Sequence, residues 1–359
     1  MRKIIYKILL SVNVFFAITL LLSYLAVHIN PDDFTLPAFF GLAYPYLLLI
    51  NIILAIIWAM LLKFEALISV IVIAIGFNHF LNYIQLFKPA GDKEGTIKLM
   101  SYNVHLFNYF ESKKNTGSDK RFLDFFASQK PDILCLQEFF VMGSAAQAET
   151  AVKNSLGGKY YSHIKILGSG KNRYYGIATF SRYPIVKKGE IIHPASSSLT
   201  IFTDVVIQKD TFRIYNNHLQ SFRLKQMERS LIEEITAENK ETLGEVKSLS
   251  VSLKKGFVRR ALQAQVVKDH INQSKYPVIV AGDFNDTPVS YAYRKIRKGL
   301  NDSFVNSGYG AGFTYKGNYP PNRIDYILYD NALTNSVFEI KKVRYSDHYP
   351  IVAYFRKKI

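Results

Sequence analysis

The chain has 359 residues, 49% of them hydrophobic, and a formal net charge of +17 at pH 7. Its length is sufficient for two or three folded units, and its single cysteine, Cys135, excludes an intramolecular disulfide. The excess of lysine and arginine favours contact with polyanions or with an anionic membrane surface, although a lysine-rich solvated surface explains it equally well.

Apolar blocks occupy residues 8–27, 42–62 and 66–87. Each is close to the ~20 residues that a membrane-spanning helix needs. The first is too long for a signal peptide and has no small-residue cleavage site after it, so we expect it to remain as a span. The third has a polar second half, so a partly buried or interfacial helix is the alternative there. We predict a transmembrane region of about three helices over residues 1–90.

The charges around the first block predict its orientation. Three basic residues precede it, whereas the loop 29–43 carries Asp32 and Asp33 and no lysine or arginine. The positive-inside rule places the N-terminus in the cytoplasm and this loop outside. Three spans put the remainder of the chain outside the cytoplasm, and two spans leave it inside. The absence of charge in residues 66–77 favours three, which predicts a multi-pass protein with an extracytoplasmic domain.

A short segment, KPAGDKEG at residues 88–95, separates these blocks from a domain of mixed polarity over residues 91–359. The predicted strands of this domain are TIKLMSYNV, DILCLQE, YYGIATFS, TIFTDVVI, TFRIYNNHLQ, VIVAG, RIDYILY and YPIVAYF. Helices are predicted at RFLDFFASQ and over residues 223–272, with an interruption at GEVKSLSVSLKKGF. Many strands, few helices and no strict βαβ alternation predict an α+β fold of packed sheets flanked by helices.

Polar residues suited to metal binding or acid–base chemistry lie at the ends of these strands. They are Asn103, Glu138, His218, Asp283, Asn285, Asp325, Asp347 and His348. Any one of them is explained by a turn. Together, carboxylates, amides and histidines at the same ends of sheet strands predict a site for a hard cation. Such oxygen ligands suit Mg²⁺, Mn²⁺ or Ca²⁺ better than Zn²⁺.

Short motifs follow one another along the domain in the order SYNV, LQE, NNHL, GDFN, RIDYIL and SDHYPI. Each is weak alone, but the ordered series resembles the endonuclease/exonuclease/phosphatase superfamily over about residues 96–359. The resemblance implies a four-layered αββα sandwich that gathers the strand ends around a scissile phosphate. The apolar blocks lie outside the resemblance.

The resemblance implies a metal-ligand set. Glu138 corresponds to the principal Mg²⁺ ligand, Asn103 helps to bind metal or phosphate, and Asp347 joins the metal shell. The chemistry is reasonable by itself, because attack of water on an anionic phosphodiester needs a cation to neutralise the charge that develops on phosphorus and the leaving oxygen.

The resemblance also implies the catalytic groups. Asp283 would orient and deprotonate the attacking water, and Asn285 would hold the water or a phosphate oxygen. His348 would contact the phosphate, oriented and kept cationic by Asp325, since a nearby anion raises the pKa of a histidine. His218 would bind phosphate or donate a proton. A covalent nucleophile is not required.

Departures from subfamily patterns narrow the function. SDHYP keeps a histidine where inositol 5-phosphatases have Cys-Asp-Arg, and NNHL differs from the Tyr-x-Pro-Asn pattern of apurinic-site endonucleases. The two histidines match deoxyribonuclease-like and sphingomyelinase-like relatives, so the expected substrate is nucleic acid or a phospholipid headgroup.

We predict a membrane-anchored, Mg²⁺-dependent phosphodiesterase of the endonuclease/exonuclease type that contacts the lipid bilayer. A sphingomyelinase-like lipid phosphodiesterase is the alternative. A non-catalytic membrane scaffold is the least favoured interpretation, because none of the expected site residues is missing. The sequence does not point to a protein partner.

Two further stretches have ambiguous patterns. Residues 223–256 predict either a helical arm at the rim of the active site or a solvated helical insertion. GKNRYYG, at residues 170–176, combines basic residues with tyrosines as nucleic-acid stacking surfaces do. Tyrosines that simply pack in a strand are the favoured explanation.

Overall fold

The computed structural model describes residues 2–87, 89–108, 120–142, 144–168, 173–193, 196, 198–222, 243–317 and 321–358. A helical unit, residues 2–81, precedes an α+β domain. The described helices are α1 Arg2–Leu25, α2 Leu36–Leu42, α3 Tyr44–Met60, α4 Ala66–Ile75, α5 Phe77–Leu81, α6 Lys120–Gln129, α7 Ala145–Ser155, α8 Leu243–Asn272, α9 Tyr291–Arg297 and α10 Ser303–Ser307, with a 3₁₀ turn at His105–Asn108. The described strands are β1 Ile84–Gln85, β2 Ile97–Asn103, β3 Ile133–Met142, β4 Tyr161–Gly168, β5 Arg173–Ser181, β6 Ile185–Ile191, β7 Leu199–Ile207, β8 Asp210–His218, β9 Val278–Asp283, β10 Asn301–Asp302, β11 Gly310–Ala311, β12 Asp325–Tyr329, β13 Leu333–Ile340 and β14 Ile351–Lys357.

Buried polar side chains hold the helical unit together. Asn13 Nδ2, in α1, donates to the carbonyl of Glu65 just before α4, at 3.1 Å. Ser69 Oγ lies 2.6 Å from Asn13 Oδ1 and 3.1 Å from Asn51 Oδ1, which joins α1, α3 and α4. The polar groups of these side chains hydrogen-bond to one another inside the unit, and large apolar side chains cover much of its exterior. Such an arrangement suits a lipid environment.

The helices agree with the predicted apolar blocks in part. Among the described residues, Lys3–Leu25 is the one helix that is long and apolar enough by itself to cross a membrane. Helices α2 and α3 pass the same test together but are bent by 67°. The third block is not one helix, because α4 ends at Ile75. The next residue is Gly76, where a Cβ would overlap the Tyr24 ring. The number of crossings remains a prediction.

Two six-stranded sheets form the centre of the α+β domain. One has the order β10-β12-β9-β8-β7-β6 and the other β13-β14-β2-β3-β5-β4. Alternate side chains of both sheets, including Leu99, Cys135, Ile214 and Ile279, pack between them. Cys135 is therefore a core residue.

Helices cover the outer face of each sheet. Phe122 and Phe126 of α6 pack on the sheet that contains β2 and β3, whereas Val267 and Ile271 of α8 pack on the sheet that contains β8 and β9. Full burial of an apolar side chain of this size contributes roughly 1.5–3 kcal/mol. The order helix, sheet, sheet, helix confirms the predicted four-layered αββα sandwich.

Parallel pairing determines where the strands end. β2 pairs in parallel with β3, and β8 pairs in parallel with β9, so the carboxyl ends of these strands meet at one edge of the sandwich. β12 begins at the same edge, because Asp325 pairs with Asp283 in antiparallel register. We call this edge, where the predicted polar residues lie, the active edge.

The long helix α8 corrects one sequence prediction. It runs without interruption from Leu243 to Asn272, through the stretch that was predicted to break it. Gly256 lets the helix pack closely on Phe222, because a Cβ at that position would lie 2.6 Å from the ring. The part of the predicted arm up to residue 242 lies outside the described residues.

Residues 170–172 of GKNRYYG also lie outside the described residues. Tyr174 and Tyr175 of that motif are half-buried in β5. Tyr174 packs against the apolar cluster beneath α6, as expected for a strand tyrosine.

Candidate active site

The predicted site residues meet at the active edge. Asn103 ends β2, His218 ends β8 and Asp283 ends β9, while Asp325 is the first residue of β12. Glu138, which was predicted to end its strand, lies within β3 instead, because the strand continues to Met142. The other three residues lie in the loops that follow β9 and precede β14.

A β-bulge turns the Glu138 side chain toward the site. The pairing of β3 with β5 shifts between Gln137 and Phe139, and Glu138 has a left-handed φ of 51°. A bulge inserts one residue and re-aims its side chain. Glu138 Oε1 lies 3.3 Å from Asn103 Nδ2 and 3.5 Å from His218 Nε2. Its side chain is 25% exposed, which leaves it accessible to a ligand.

Asp283 is the centre of the site and is only 1% exposed. Its Oδ2 accepts hydrogen bonds from Asn103 Nδ2 at 2.9 Å and Asn285 Nδ2 at 3.2 Å. The Nε2 atoms of His218 and His348 lie 3.9 and 3.8 Å from the same oxygen. One carboxylate is therefore within reach of both histidines and both amides.

The glycine before Asp283 is required by a close approach of two strands. Gly282 has φ 130°, and a Cβ there would lie 2.0 Å from the carbonyl oxygen of Asn217 in β8. Only glycine fits this position, which gives the GDFN motif its first residue. The close approach brings the ends of β8 and β9 together and sets His218 beside Asp283.

The environment of Asp283 changes its acidity. Burial raises the pKa of Asp283 to about 6, against the opposing effect of protonated His348. A carboxylate with a pKa in this range is largely ionised at neutral pH and still accepts a proton, as a general base requires.

His348 and Asp325 form a buried pair. His348 Nδ1 lies 2.9 Å from Asp325 Oδ2, and the two residues are 5% and 2% exposed. Because a carboxylate only accepts hydrogen bonds, Nδ1 carries a proton and Nε2 faces Asp283. Burial by itself lowers the pKa of His348, but the Asp325 and Asp283 carboxylates outweigh it and hold the pKa well above its usual range.

Asn285 is held close to Asp283 by the turn after β9. Its φ is 52°, and its Nδ2 donates to the carbonyl of Leu219 at 3.0 Å. The backbone N–H of Asn285 donates to Asp283 Oδ1 at 2.7 Å. Phe284, between the two, is fully buried and anchors the turn in the core.

Asp347 lies on the Asn103 side of the site. Ser346 Oγ is 2.8 Å from the Asn103 carbonyl oxygen and 3.2 Å from Asp347 Oδ1. His105 Nδ1 lies 3.7 Å from the same carboxylate oxygen. The sequence did not single out His105, which directly follows the SYNV motif, or Ser346, which is the first residue of SDHYPI.

Thr314 is a third residue that the sequence patterns did not indicate. It is buried, and its Oγ1 accepts the backbone N–H groups of Ile324 and Asp325 at 3.1 Å each. Its carbonyl accepts the N–H of Tyr349 at 2.7 Å. Thr314 therefore fixes the backbone on both sides of the His348–Asp325 pair, and no motif marks it.

The donor atoms of the site fit a hard cation. The described residues contain one compact group of carboxylate and histidine ligand atoms, within 4.8 Å of one another: Asp283, Asp325 and His348. Asp325 already engages His348, which makes this group an acid–base system. Glu138 is the accessible carboxylate beside it, and carboxylate oxygens are the ligands that Mg²⁺ prefers. Asn103 Nδ2 donates to both Glu138 and Asp283 and so holds the two carboxylates side by side.

The sequence was compared with known families. A model described as the Endonuclease/Exonuclease/phosphatase family matches residues 100–348, a range that includes every predicted site residue. The chain belongs to the endonuclease/exonuclease/phosphatase family. It is therefore a phosphoric ester hydrolase by family. A second model, a domain of unknown function (DUF8431), matches residues 6–83 in the helical unit.

Solved structures of this family share the fold. A family protein from Leptotrichia buccalis C-1013-b is 17% identical, with a TM-score of 0.51 over 73% of this chain and 100% of that chain. The human Nocturnin catalytic domain with bound sulfate anion is 18% identical, with a TM-score of 0.53 over 75% and 96%. A family protein from Bacteroides thetaiotaomicron is 16% identical, with a TM-score of 0.53 over 76% and 100%. No curated protein matched the chain.

Proposed function

We propose that the chain is a membrane-anchored, Mg²⁺-dependent phosphodiesterase of the endonuclease/exonuclease type, which cleaves its substrate by attack of water. The observation that carries the proposal is the position of Asp283. It is buried, has a pKa of about 6, and lies within 4 Å of His218 and of the His348–Asp325 pair. The proposed base, the cationic donor and the phosphate-binding groups therefore lie close to one another.

Glu138 is the proposed principal metal ligand, with Asn103 and Asp347 completing the protein's share of the shell. A divalent cation bound there would neutralise charge that develops on phosphorus and on the leaving oxygen. Mg²⁺ is favoured, and Mn²⁺ or Ca²⁺ suits the same oxygen donors. The accessible Glu138 carboxylate, beside the buried Asp283, supports this division of roles.

The remaining side chains handle water, phosphate and protons. Asp283 accepts a proton from the attacking water, whose oxygen forms the new bond to phosphorus, and Asn285 holds the water or a phosphate oxygen. His348, cationic because of Asp325, binds a phosphate oxygen. His218 binds the phosphate or donates a proton to the leaving oxygen as its bond to phosphorus breaks. This division uses Asp283 and His348 in the protonation states that their surroundings favour.

The proposal includes a multi-pass helical unit and an extracytoplasmic catalytic domain. Positive charge before α1 favours a cytoplasmic N-terminus and an external loop 29–43. Gly41, in the helix α2 that forms part of residues 29–43, lies against the backbone of Val289 in the catalytic domain. His28 Nε2, just before the loop, lies 3.2 Å from Arg294 Nη1. Contacts of this kind favour a loop and a domain on the same side of the membrane, and they support the proposal of three crossings.

A second candidate function is a lipid phosphodiesterase. The Phe39 ring of α2 packs edge-to-face on Phe257 at 5.3 Å, and Phe257 packs in the same way on Phe222 at 5.4 Å. Phe222 follows His218 by four residues. A helix next to the candidate spans therefore reaches the rim of the active site, which favours a substrate carried by the membrane. The intact residue set at the active edge disfavours a non-catalytic scaffold.

The test is a substrate survey with the full chain in lipid nanodiscs and Mg²⁺. DNA, RNA, sphingomyelin and phosphoinositides are the substrates, and the Asp283→Asn variant is the control. If the wild type, but not Asp283→Asn, hydrolyses only nucleic acid, the first candidate is supported. If it hydrolyses only a lipid, the second is supported. No hydrolysis of any phosphodiester contradicts both.

A further inference from the structure

The segment that joins the helical unit to the catalytic domain is built into that domain. We call residues 82–85 the docking segment. Its strand β1 pairs antiparallel with β11, so that Ile84 lies opposite Ala311. The carbonyl of Tyr83 accepts the N–H of Gly312 at 2.8 Å. The docking segment therefore forms a two-stranded sheet with the catalytic domain and is not a flexible tether.

Two arginines of the catalytic domain bind the first residue of the docking segment. Arg323 Nη1 donates to the Asn82 carbonyl at 2.8 Å, and Arg297 Nη1 donates to Asn82 Oδ1 at 2.8 Å. Arg323 is 1% exposed, and its Nη2 also donates to both carboxylate oxygens of Asp302. Hydrogen bonds from a charged donor are stronger than neutral ones, and burial strengthens them further.

Apolar packing completes the interface. Tyr83 is 3% exposed and stacks on Tyr44 of α3, with the ring centroids 5.5 Å apart. Val289 of the catalytic domain belongs to the same apolar cluster. A Cβ on Gly41 would lie 2.4 Å from the Val289 carbonyl oxygen, so the two backbones touch there. Val289 follows Asn285 by four residues, which places this contact on a loop of the active site.

The residues that contact the docking segment are close in the chain to the residues that hold the His348–Asp325 pair. Gly312 is two residues before Thr314, whose hydroxyl oxygen accepts the N–H of Asp325. Arg323 is two residues before Asp325 in the same chain segment. The carbonyl of Thr314 also accepts the N–H of the residue that follows His348. The docking segment therefore braces the backbone that carries both members of the pair.

We propose that Asn82 and Tyr83 are positioning residues for the His348–Asp325 pair, so that the helical unit supports catalysis as well as location. The inference rests on the proposed phosphodiesterase activity. Displacement of a catalytic group by about 1 Å typically costs on the order of 100-fold in rate. Both residues act through Thr314 and Arg323, so the turnover number is expected to change more than the Michaelis constant.

The test compares the substitution of an aromatic residue inside the docking segment with that of an aromatic residue just beyond it. In the full chain in detergent with Mg²⁺, Tyr83→Ala is expected to lower kcat on bis(4-nitrophenyl) phosphate by roughly 10- to 100-fold, with KM nearly unchanged. Tyr83→Phe keeps the stacked ring and should restore the wild-type kcat. Phe87→Ala is the matched control, because Phe87 is 85% exposed just beyond the docking segment. If Tyr83→Ala does not fold, Asn82→Ala gives the same test with a smaller expected loss.

Disulfide formation reports docking independently of activity. The substitutions Ile84→Cys and Ala311→Cys place two cysteines opposite each other in the antiparallel pair of β1 and β11, at a spacing that a disulfide spans. Cys135 is buried and does not compete. Mild oxidation should cross-link the pair in an otherwise wild-type chain, and Tyr83→Ala should slow the reaction.

The two readouts separate the possible outcomes. Loss of cross-linking without loss of kcat overturns the positioning role, as does an equal loss of kcat in Tyr83→Ala and Phe87→Ala. A chain that cross-links but hydrolyses no phosphodiester overturns the proposed function and, with it, the catalytic role of the docking segment. Slower cross-linking together with a selective fall in kcat supports the inference.

Discussion

The imidazole Nδ1 of His348 lies 2.9 Å from the carboxylate Oδ2 of Asp325. Asp325 begins β12 in one sheet, whereas His348 precedes β14 in the other. The pair therefore joins the two sheets at the active edge. Both side chains are buried, so water screens their attraction only weakly.

Asp325→Asn is expected to reduce activity by an amount that grows with pH. Asp325 is among the carboxylates that hold the pKa of His348 well above its usual range. Without that charge the pKa falls, and His348 loses its proton as the pH rises through the lowered value. The measurement is kcat/KM of both proteins between about pH 5 and 9, the range in which histidine titrates. His348→Ala should be strongly impaired at every pH, and an equal loss for Asp325→Asn across the range would assign Asp325 a purely structural role.

Glu138→Gln is expected to abolish hydrolysis without unfolding the chain. The amide keeps the shape of the side chain and removes the charge that the proposed metal site needs. EDTA should inactivate the wild type, and added Mg²⁺ should restore it. Unchanged thermal unfolding of the variant is the control for folding. Full wild-type activity in EDTA would contradict the metal assignment.

The strand ends of the site could be predicted because they depend on local sequence. The run VIVA precedes GDFN and the run IVAYF follows SDHYP, so these stretches indicate both the strands and their polar ends. Parallel pairing then brings Asn103, Glu138, His218 and Asp283 to one edge, as the structure shows. The resemblance supplied the four-layered αββα arrangement, which strand patterns alone do not determine.

Other features depend on contacts between distant residues and have no local signal. The bulge at Glu138 follows from the pairing of β3 with β5, and the left-handed φ is not written in LQEFF. Thr314 accepts the N–H of Asp325 across a separation of 11 residues, and neither local sequence indicates this contact. The helix α8 continues through its predicted break. Helix propensity is a weak signal that tertiary packing, such as that of Gly256 on Phe222, can override.

Activity is expected to fall with an apparent pKa of about 6 on the acid side. Burial raises the pKa of Asp283 to about 6, and the group accepts a proton from water only when it is ionised. The sign for stability is opposite: the raised pKa stabilises the folded state at low pH, and this contribution disappears as the pH rises through about 6. The measurement is the acid limb of kcat/KM with a phosphodiester that stays ionised throughout. An acid limb near the ordinary aspartate pKa would show that Asp283 is not the base.

Arg260→Met is expected to destabilise the chain by about 3–5 kcal/mol, as removal of one partner of a buried ion pair does. Arg260 Nε donates to Asp286 Oδ2 at 2.9 Å, and the two side chains are 0% and 5% exposed. Arg182→Met is the matched control, since Arg182 is 69% exposed and its pair with Asp132 should contribute less than about 1 kcal/mol. Thermal unfolding in one detergent compares the two variants, and equal shifts would contradict the prediction.

The last prediction concerns the side of the membrane on which the catalytic domain lies. A reporter enzyme that is active only outside the cytoplasm is fused after Gly95 or, as the control, after Lys63 in the turn between α3 and α4. Positive charge before α1 places the N-terminus inside, so three crossings make the Gly95 fusion active and the Lys63 fusion inactive. The contact of Gly41 with Val289 argues for the same result, because the external loop and the catalytic domain then share one side. An inactive, stably expressed Gly95 fusion would mean that α4 and α5 do not cross. It would place the domain in the cytoplasm and exclude extracellular nucleic acid and outer-leaflet lipid as substrates.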